Sequence, residues 1–295
     1  MIRRDFLKFT ATGAIGAYFQ PSWLLDNMPK IDLAYAGLQL YTVNREMEDN
    51  PLHTLRTIKS IGYSHVEGAS YDKGRFYGQT KENFVRILQD TGLKMYSNHI
   101  EYGKPEDNMS YDMHNNWEKV CEDAAFMGQK YLVCPSLPSE VRKSVDNYKR
   151  TAQFLNKCGE KAKNYGLQLC YHNHAFEFSP LGKILPYDIL LSETDPNSVK
   201  FELDIYWATR SGMNIRKLIN KNPGRFSLFH IKDMNTSPEK GFTEVGTGVI
   251  NWKNIFTLSE KAGLKYFYIE QDEMTKYTPL ESIRVSFNNL VKIQN

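Results

Sequence analysis

VDNYKRTAQFLNKCGEKAKNYGLQLCYHN, residues 145–173, holds in one stretch the unit from which the chain is built. Val145, Tyr148, Ala152 and Leu155 step by three and four, the spacing that gathers apolar side chains on one helix face. Gly166 stands where that helix must stop and the backbone must turn through a left-handed conformation that glycine enters freely. Residues 167–173, LQLCYHN, then read as a short apolar strand that ends on polar residues.

The same unit recurs along the chain. Further strands are expected at 37–43 (GLQLYTV), 63–69 (YSHVEGA), 93–98 (LKMYSN), 130–134 (KYLVC), 199–204 (VKFELD), 226–231 (FSLFHI) and 266–270 (YFYIE), which makes eight. Gly62, Gly92, Gly128 and Gly263 precede four of these with at most two residues between. Helical stripes return at Trp117, Val120, Ala124 and Met127 and at Leu280, Ile283, Phe287 and Leu290. Strand-then-helix alternation predicts a parallel sheet covered by helices. An open doubly wound sheet would carry Gly-x-Gly-x-x-Gly after its first strand, and this sequence has none there. Eight repeats in 295 residues therefore predict the α/β class with a single (β/α)8 barrel over residues 37–295.

Residues 1–36 are set apart as an export signal and linker. Arg3 and Arg4 lie in Met-Ile-Arg-Arg-Asp-Phe-Leu-Lys, ahead of a modestly apolar run from Phe9 to Phe19, the layout of a twin-arginine signal. That run is too short to span a bilayer, which takes roughly 20 residues, so export to the periplasm without a stable membrane anchor is expected. Ala34-Tyr35-Ala36 has the small-x-small form of a cleavage site, and a cut between Gln20 and Ala36 fits. The net charge of +3 is spread thinly, which argues against a nucleic-acid partner and for a small-molecule one. Cys121, Cys134, Cys158 and Cys170 form no Cys-x-x-Cys pair and read as buried free thiols.

Barrels of this kind do their chemistry at the C-terminal ends of the strands, so polar residues that end an apolar run carry the functional signal. Here they are Glu67 on strand two, Asn98 and His99 on three, His172, Asn173 and His174 on five, Asp204 on six, His230 on seven and Glu270 on eight. Four of the seven histidines fall in this set. Imidazole mixed with carboxylate is the usual donor set for Mn²⁺, Zn²⁺, Fe²⁺ or Co²⁺, and one divalent metal ion is the expectation.

Taken in order, GLQLYTV (37–43), VEGA (66–69), YHNHAFEF (171–178), ELDIYWATRSG (202–212), HIKDM (230–234), VGTGVINW (245–252) and YIEQD (268–272) resemble the sugar phosphate isomerase/epimerase family with the xylose isomerase-like TIM barrel. Its superfamily also holds apurinic endonucleases and inosose dehydratases. The resemblance spans about residues 37–290 and implies a metal held by a Glu after strand five, an Asp after six, a His after seven and a Glu after eight. Asp204, His230 and Glu270 match, while at strand five the glutamate ligand is replaced either by His172 or by Glu177 from the loop that follows. In the isomerising relatives the two glutamates also move the proton, so His172, Glu270 and the nearby Glu177 are the catalytic candidates. Trp207 occupies the place where apurinic endonucleases put a metal-binding histidine, which speaks against phosphodiester cleavage and against several metals.

Glu67, His99, His174, Trp207, Lys232 and Asp233 complete the site as expected substrate-binding residues, with Lys232 clamping a substrate oxygen and Asp233 orienting an imidazole or hydroxyl. Tyr41, Trp207 and Tyr71 would suit stacking on a sugar face. The resemblance implies proton abstraction beside a carbonyl with a metal-stabilised enediolate, hence a divalent-metal-dependent isomerase or epimerase of a small sugar or keto-sugar. A 3-keto-glycoside lyase or hydratase on the same site is the first alternative, and a non-catalytic sugar-binding barrel the second.

Overall fold

Eight parallel strands close on themselves: β1 (Ala36–Gln39), β2 (His65–Gly68), β3 (Lys94–His99), β4 (Tyr131–Cys134), β5 (Gln168–His172), β6 (Val199–Asp204), β7 (Phe226–Ile231) and β8 (Tyr266–Ile269). Each pairs with its chain neighbours, and β1 closes the ring against β8. The computed structural model describes residues 36–105, 107 and 109–294. The twin-arginine string and most of the expected cleavage site lie outside the described residues. The principal helices that follow the strands are α1 (Pro51–Ile61), α2 (Lys81–Thr91), α3 (Trp117–Phe126), α4 (Val145–Lys163), α5 (Pro186–Glu193), α6 (Ile215–Lys221), α7 (Trp252–Phe256) and α8 (Pro279–Gln294). Among the described residues no helix is long and apolar enough to cross a membrane.

The (β/α)8 barrel expected from the repeat is present, and its helices turn inward the stripes read from the sequence. Tyr148, Ala152 and Leu155 of α4 are buried, as are Ile283, Phe287 and Leu290 of α8. Gly92 and Gly263 end their helices in the left-handed conformation, with φ of 66° and 82°. The first strand is shorter than expected. Gln39 accepts a hydrogen bond from the Tyr41 N–H at 3.0 Å, and Leu40–Val43 wind into a 3-10 turn that buries Leu40 and Val43 one turn apart. The four cysteines are free and buried.

Inside the barrel the lower layer is apolar and aromatic, built from Val133, Cys170, Leu228 and Tyr268 with Tyr131 and Tyr266 packed against them. His65 sets its ring edge-on to Tyr266 and Tyr268. Gly37 leaves room for both, since a Cβ there would lie 2.5 Å from the Tyr268 ring and 2.6 Å from His65. Above this layer most inward positions turn polar, with Pro135 after β4 an apolar exception, and the site begins.

Candidate active site and metal centre

Alternation along each strand decides what reaches the barrel mouth. Counting up by two from the apolar layer, β5 runs from Cys170 to His172, β7 from Leu228 through His230 to Lys232, and β8 from Tyr268 through Glu270 to Asp272. On β6 the same step carries Glu202 to Asp204. His172, Asp204, His230 and Glu270 are all buried and each offers one donor atom, the four lying within 4.8 Å of one another.

The surroundings leave the right atoms available. His172 donates from Nδ1 to the Pro135 carbonyl at 3.0 Å, so Nε2 carries the lone pair, and it has no hydrogen-bond partner. It lies 3.4 Å from Asp204 Oδ2, a buried oxygen that has the Lys232 ammonium 3.1 Å away. Asp204 Oδ1 is taken up by the Trp207 N–H at 2.9 Å, and the Asp204 backbone exchanges hydrogen bonds with the Asn173 side chain. A buried imidazole nitrogen with an open lone pair, among four convergent donors, fits a divalent cation.

Lys232 sits beside this group. Its Nζ is 2.6 Å from Glu270 Oε2, 3.1 Å from Asp204 Oδ2 and 2.8 Å from Asp272 Oδ1. Burial works against its charge, and the three carboxylates overcome that and hold the ammonium well above its ordinary range. Burial pushes Asp272 up to about 6 against the pull of Lys232. Burial also lowers His172 to about 4 and His174 to about 3. A cavity of about 300 Å³ opens over the group. His99, His172 and His174, together with Glu101, line it from the β3 and β5 side, Lys232, Glu270 and Asp272 line it from the β7 and β8 side, and Tyr41 borders it as well. Tyr41 is 55% exposed.

Below the cavity lies a second polar group. Glu67 Oε1 accepts from His230 Nε2 at 2.6 Å and from Gln39 Nε2 at 2.8 Å, while Oε2 accepts from the Ser97 hydroxyl. His99 Nε2 is 3.1 Å from Glu202 Oε2 and 3.3 Å from Glu67 Oε1. Burial opposes charge on His99, yet Glu67 and Glu202 raise it to about 9. Burial, then the neighbouring Glu67, pushes Glu202 up to about 7.

The structure corrects several expectations. Glu67 does not reach the cavity, because the stagger of the strands sets it one layer lower. Glu177 is fully buried behind β5, where it accepts from the Tyr171 hydroxyl at 2.6 Å and the His174 N–H at 2.8 Å, and it does not line the cavity. Asp233 faces away from the inward Lys232 and accepts four hydrogen bonds: Met234 N–H and Ile250 N–H on Oδ1 at 2.8 and 3.1 Å, Gly246 N–H and Trp252 Nε1–H on Oδ2 at 2.9 Å each. It braces the 245–252 loop and does not line the cavity. Trp207 backs His174, ring centroids 5.7 Å apart, without lining the cavity, and Tyr71 bonds Asp123 in a hairpin region after β2. Glu202 and Asp272 were not expected. A two-residue step from Asp204 and from Glu270 would have found both.

The family described as xylose isomerase-like TIM barrel matches residues 55–287. An inosose dehydratase of Geobacillus thermodenitrificans is 27% identical over 135 residues, 40% of this chain and 45% of that protein, so the alignment spans about half the relative's length. An inosose dehydratase of Bacillus licheniformis is 25% identical over 247 residues, 75% of this chain and 80% of that one. Among solved structures, a sugar phosphate isomerase/epimerase of Parabacteroides distasonis superposes with a TM-score of 0.75 at 27% identity, covering 87% of this chain and 97% of the other.

Proposed function

The chain belongs to the xylose isomerase-like TIM barrel family, and from that premise we propose that it is a divalent-metal-dependent lyase or dehydratase of a keto-sugar or keto-glycoside. The observation that carries this reading is the inequality of the two cavity walls: carboxylates and an ammonium face imidazoles, because His172 occupies the strand-five position where a second glutamate would stand. A reversible proton shuttle between adjacent carbons is served by two carboxylates across the substrate, whereas elimination asks for one base and, opposite it, one acid.

His172, Asp204, His230 and Glu270 are the residues that would hold the cation. When bound there, a divalent ion supplies Lewis-acid polarisation of a carbonyl and stabilises negative charge on its oxygen. Asp272, a carboxylate of the cavity wall outside that four-donor group, is the base for the proton beside the carbonyl. Lys232 orients it at 2.8 Å. On the opposite wall His99, whose Nε2 faces Glu202 and Glu67, delivers a proton through Nδ1 to the departing oxygen, and His174, which burial keeps neutral, lines the pocket beside it. Tyr41 at the rim offers a face for the sugar ring. The dehydratase relatives support this reading; the P. distasonis structure supports the isomerase or epimerase reading of the same site. The twin-arginine string supports export as the protein's route to the periplasm.

Incubation of the metal-loaded protein with a methyl 3-keto-glucoside in D₂O, followed by NMR and mass spectrometry, separates the readings. Release of methanol or water, lost in Asp272→Asn, is the expected result. A deuterated product of otherwise unchanged composition would show an isomerase or epimerase, and saturable binding without any exchange would show a sugar-binding barrel.

A further inference from the structure

We propose that Glu67, Glu202 and His230, buried beneath the cavity, together with His99, whose Nε2 faces them from the cavity wall, form a second divalent-cation site joined to the upper one through the His230 ring. Each of the four offers one donor atom, and these atoms lie within 4.8 Å of one another. Three of their separations, 3.1, 3.2 and 3.3 Å, already approach the edge of about 3.4 Å that a tetrahedron with bonds of about 2.1 Å requires. A fourth, the 2.6 Å contact between His230 Nε2 and Glu67, has to open.

A second observation points to a ligand. Glu202 is fully buried, yet its Oε1 has no hydrogen-bond partner. A buried carboxylate oxygen left open is costly, and coordination would satisfy it. The supporting shell is also in place, since Gln39 and the Ser97 hydroxyl hold the Glu67 carboxylate as outer groups hold metal-binding carboxylates. His230 points its two nitrogens in opposite directions, Nδ1 to Glu270 in the upper group at 2.7 Å and Nε2 to the lower one. Bridging asks it to bind as imidazolate, with its ring protons released to solvent. Two imidazoles with two carboxylates favour Zn²⁺, Co²⁺ or Fe²⁺ over the all-oxygen preference of Ca²⁺ and Mg²⁺. On this proposal the barrel holds two ions, where the sequence led to an expectation of one.

The proposal shares His230 with the upper site, so its test separates the two. The chelator-stripped full chain is saturated with Zn²⁺, desalted and assayed for zinc by plasma mass spectrometry. Two equivalents are expected for the wild type, one in Glu202→Gln and one in His172→Ala. Crystals of the wild-type protein should show two anomalous peaks at the zinc edge, the lower one between Glu67 and Glu202, a readout that depends on no variant folding. One equivalent, kept in Glu202→Gln and lost in His172→Ala, would overturn the second site and leave the upper one standing. The reverse pattern would overturn the upper site alone. No bound zinc would overturn both.

Discussion

The loops after β5 and β7 each bury one carboxylate on the outer side of the barrel, and they use it differently. Glu177 receives two hydrogen bonds, from Tyr171 and from the His174 N–H, and burial pushes its carboxyl up to about 7. Asp233 receives four, three from backbone N–H groups and one from Trp252. A buried anion is tolerated in proportion to the donors aimed at it. The β7 loop has been closed around its carboxylate so tightly that a Cβ at Gly248 would fall 2.3 Å from Asp233 Oδ1. The β5 loop holds its carboxyl more loosely, at the threshold of ionisation.

That contrast predicts a ranking. Asp233→Ala should cost about 4 kcal/mol in urea unfolding, because it strands several buried N–H donors at once; a loss below about 1 kcal/mol would mean that the 245–252 loop finds other partners. Glu177→Gln comes next, and its effect should depend on pH. The folded protein keeps the Glu177 proton up to about 7, while the unfolded chain loses it near about 4.3, so over that interval wild-type stability falls as pH rises. The variant has no such proton, and its stability relative to wild type should climb between pH 5 and pH 8 by on the order of 2–3 kcal/mol. A difference that stays flat with pH would break the contrast between the loops. Trp252→Phe removes one of Asp233's four bonds and should cost about 1 kcal/mol, measured in the same way.

Strand positions were legible because eight apolar runs, several announced by a helix-ending glycine, repeat one pattern, and the structure keeps every one of them. Leu40–Val43 was the exception, since an apolar run can continue a strand or close a 3-10 turn, and the choice lay in a hydrogen bond to the Gln39 side chain. Residues at strand ends were found easily, but their depth was not. Glu67 and Asp204 look equivalent in sequence, and barrel stagger places one below the floor and the other in the upper group. Which way a side chain faces is legible from strand parity: Lys232 shares the parity of His230, and Asp233 has the opposite parity. Glu202 escaped notice because it stands inside a strand, where a polar residue reads as interruption instead of as a second layer of the site.

Lys232 has a consequence for which ions the barrel accepts. Its ammonium already lies against Asp204 and Glu270, two of the upper group's donors, with Asp272 at hand to receive it. Being covalently attached, it competes at an effective concentration that never dilutes. Sodium or potassium would exchange one positive charge for another and meet a rival that cannot diffuse away. A divalent ion brings twice the charge to the same carboxylates and can move the ammonium onto Asp272. At the proposed cation site this buried side chain would therefore act as a resident sieve by valence.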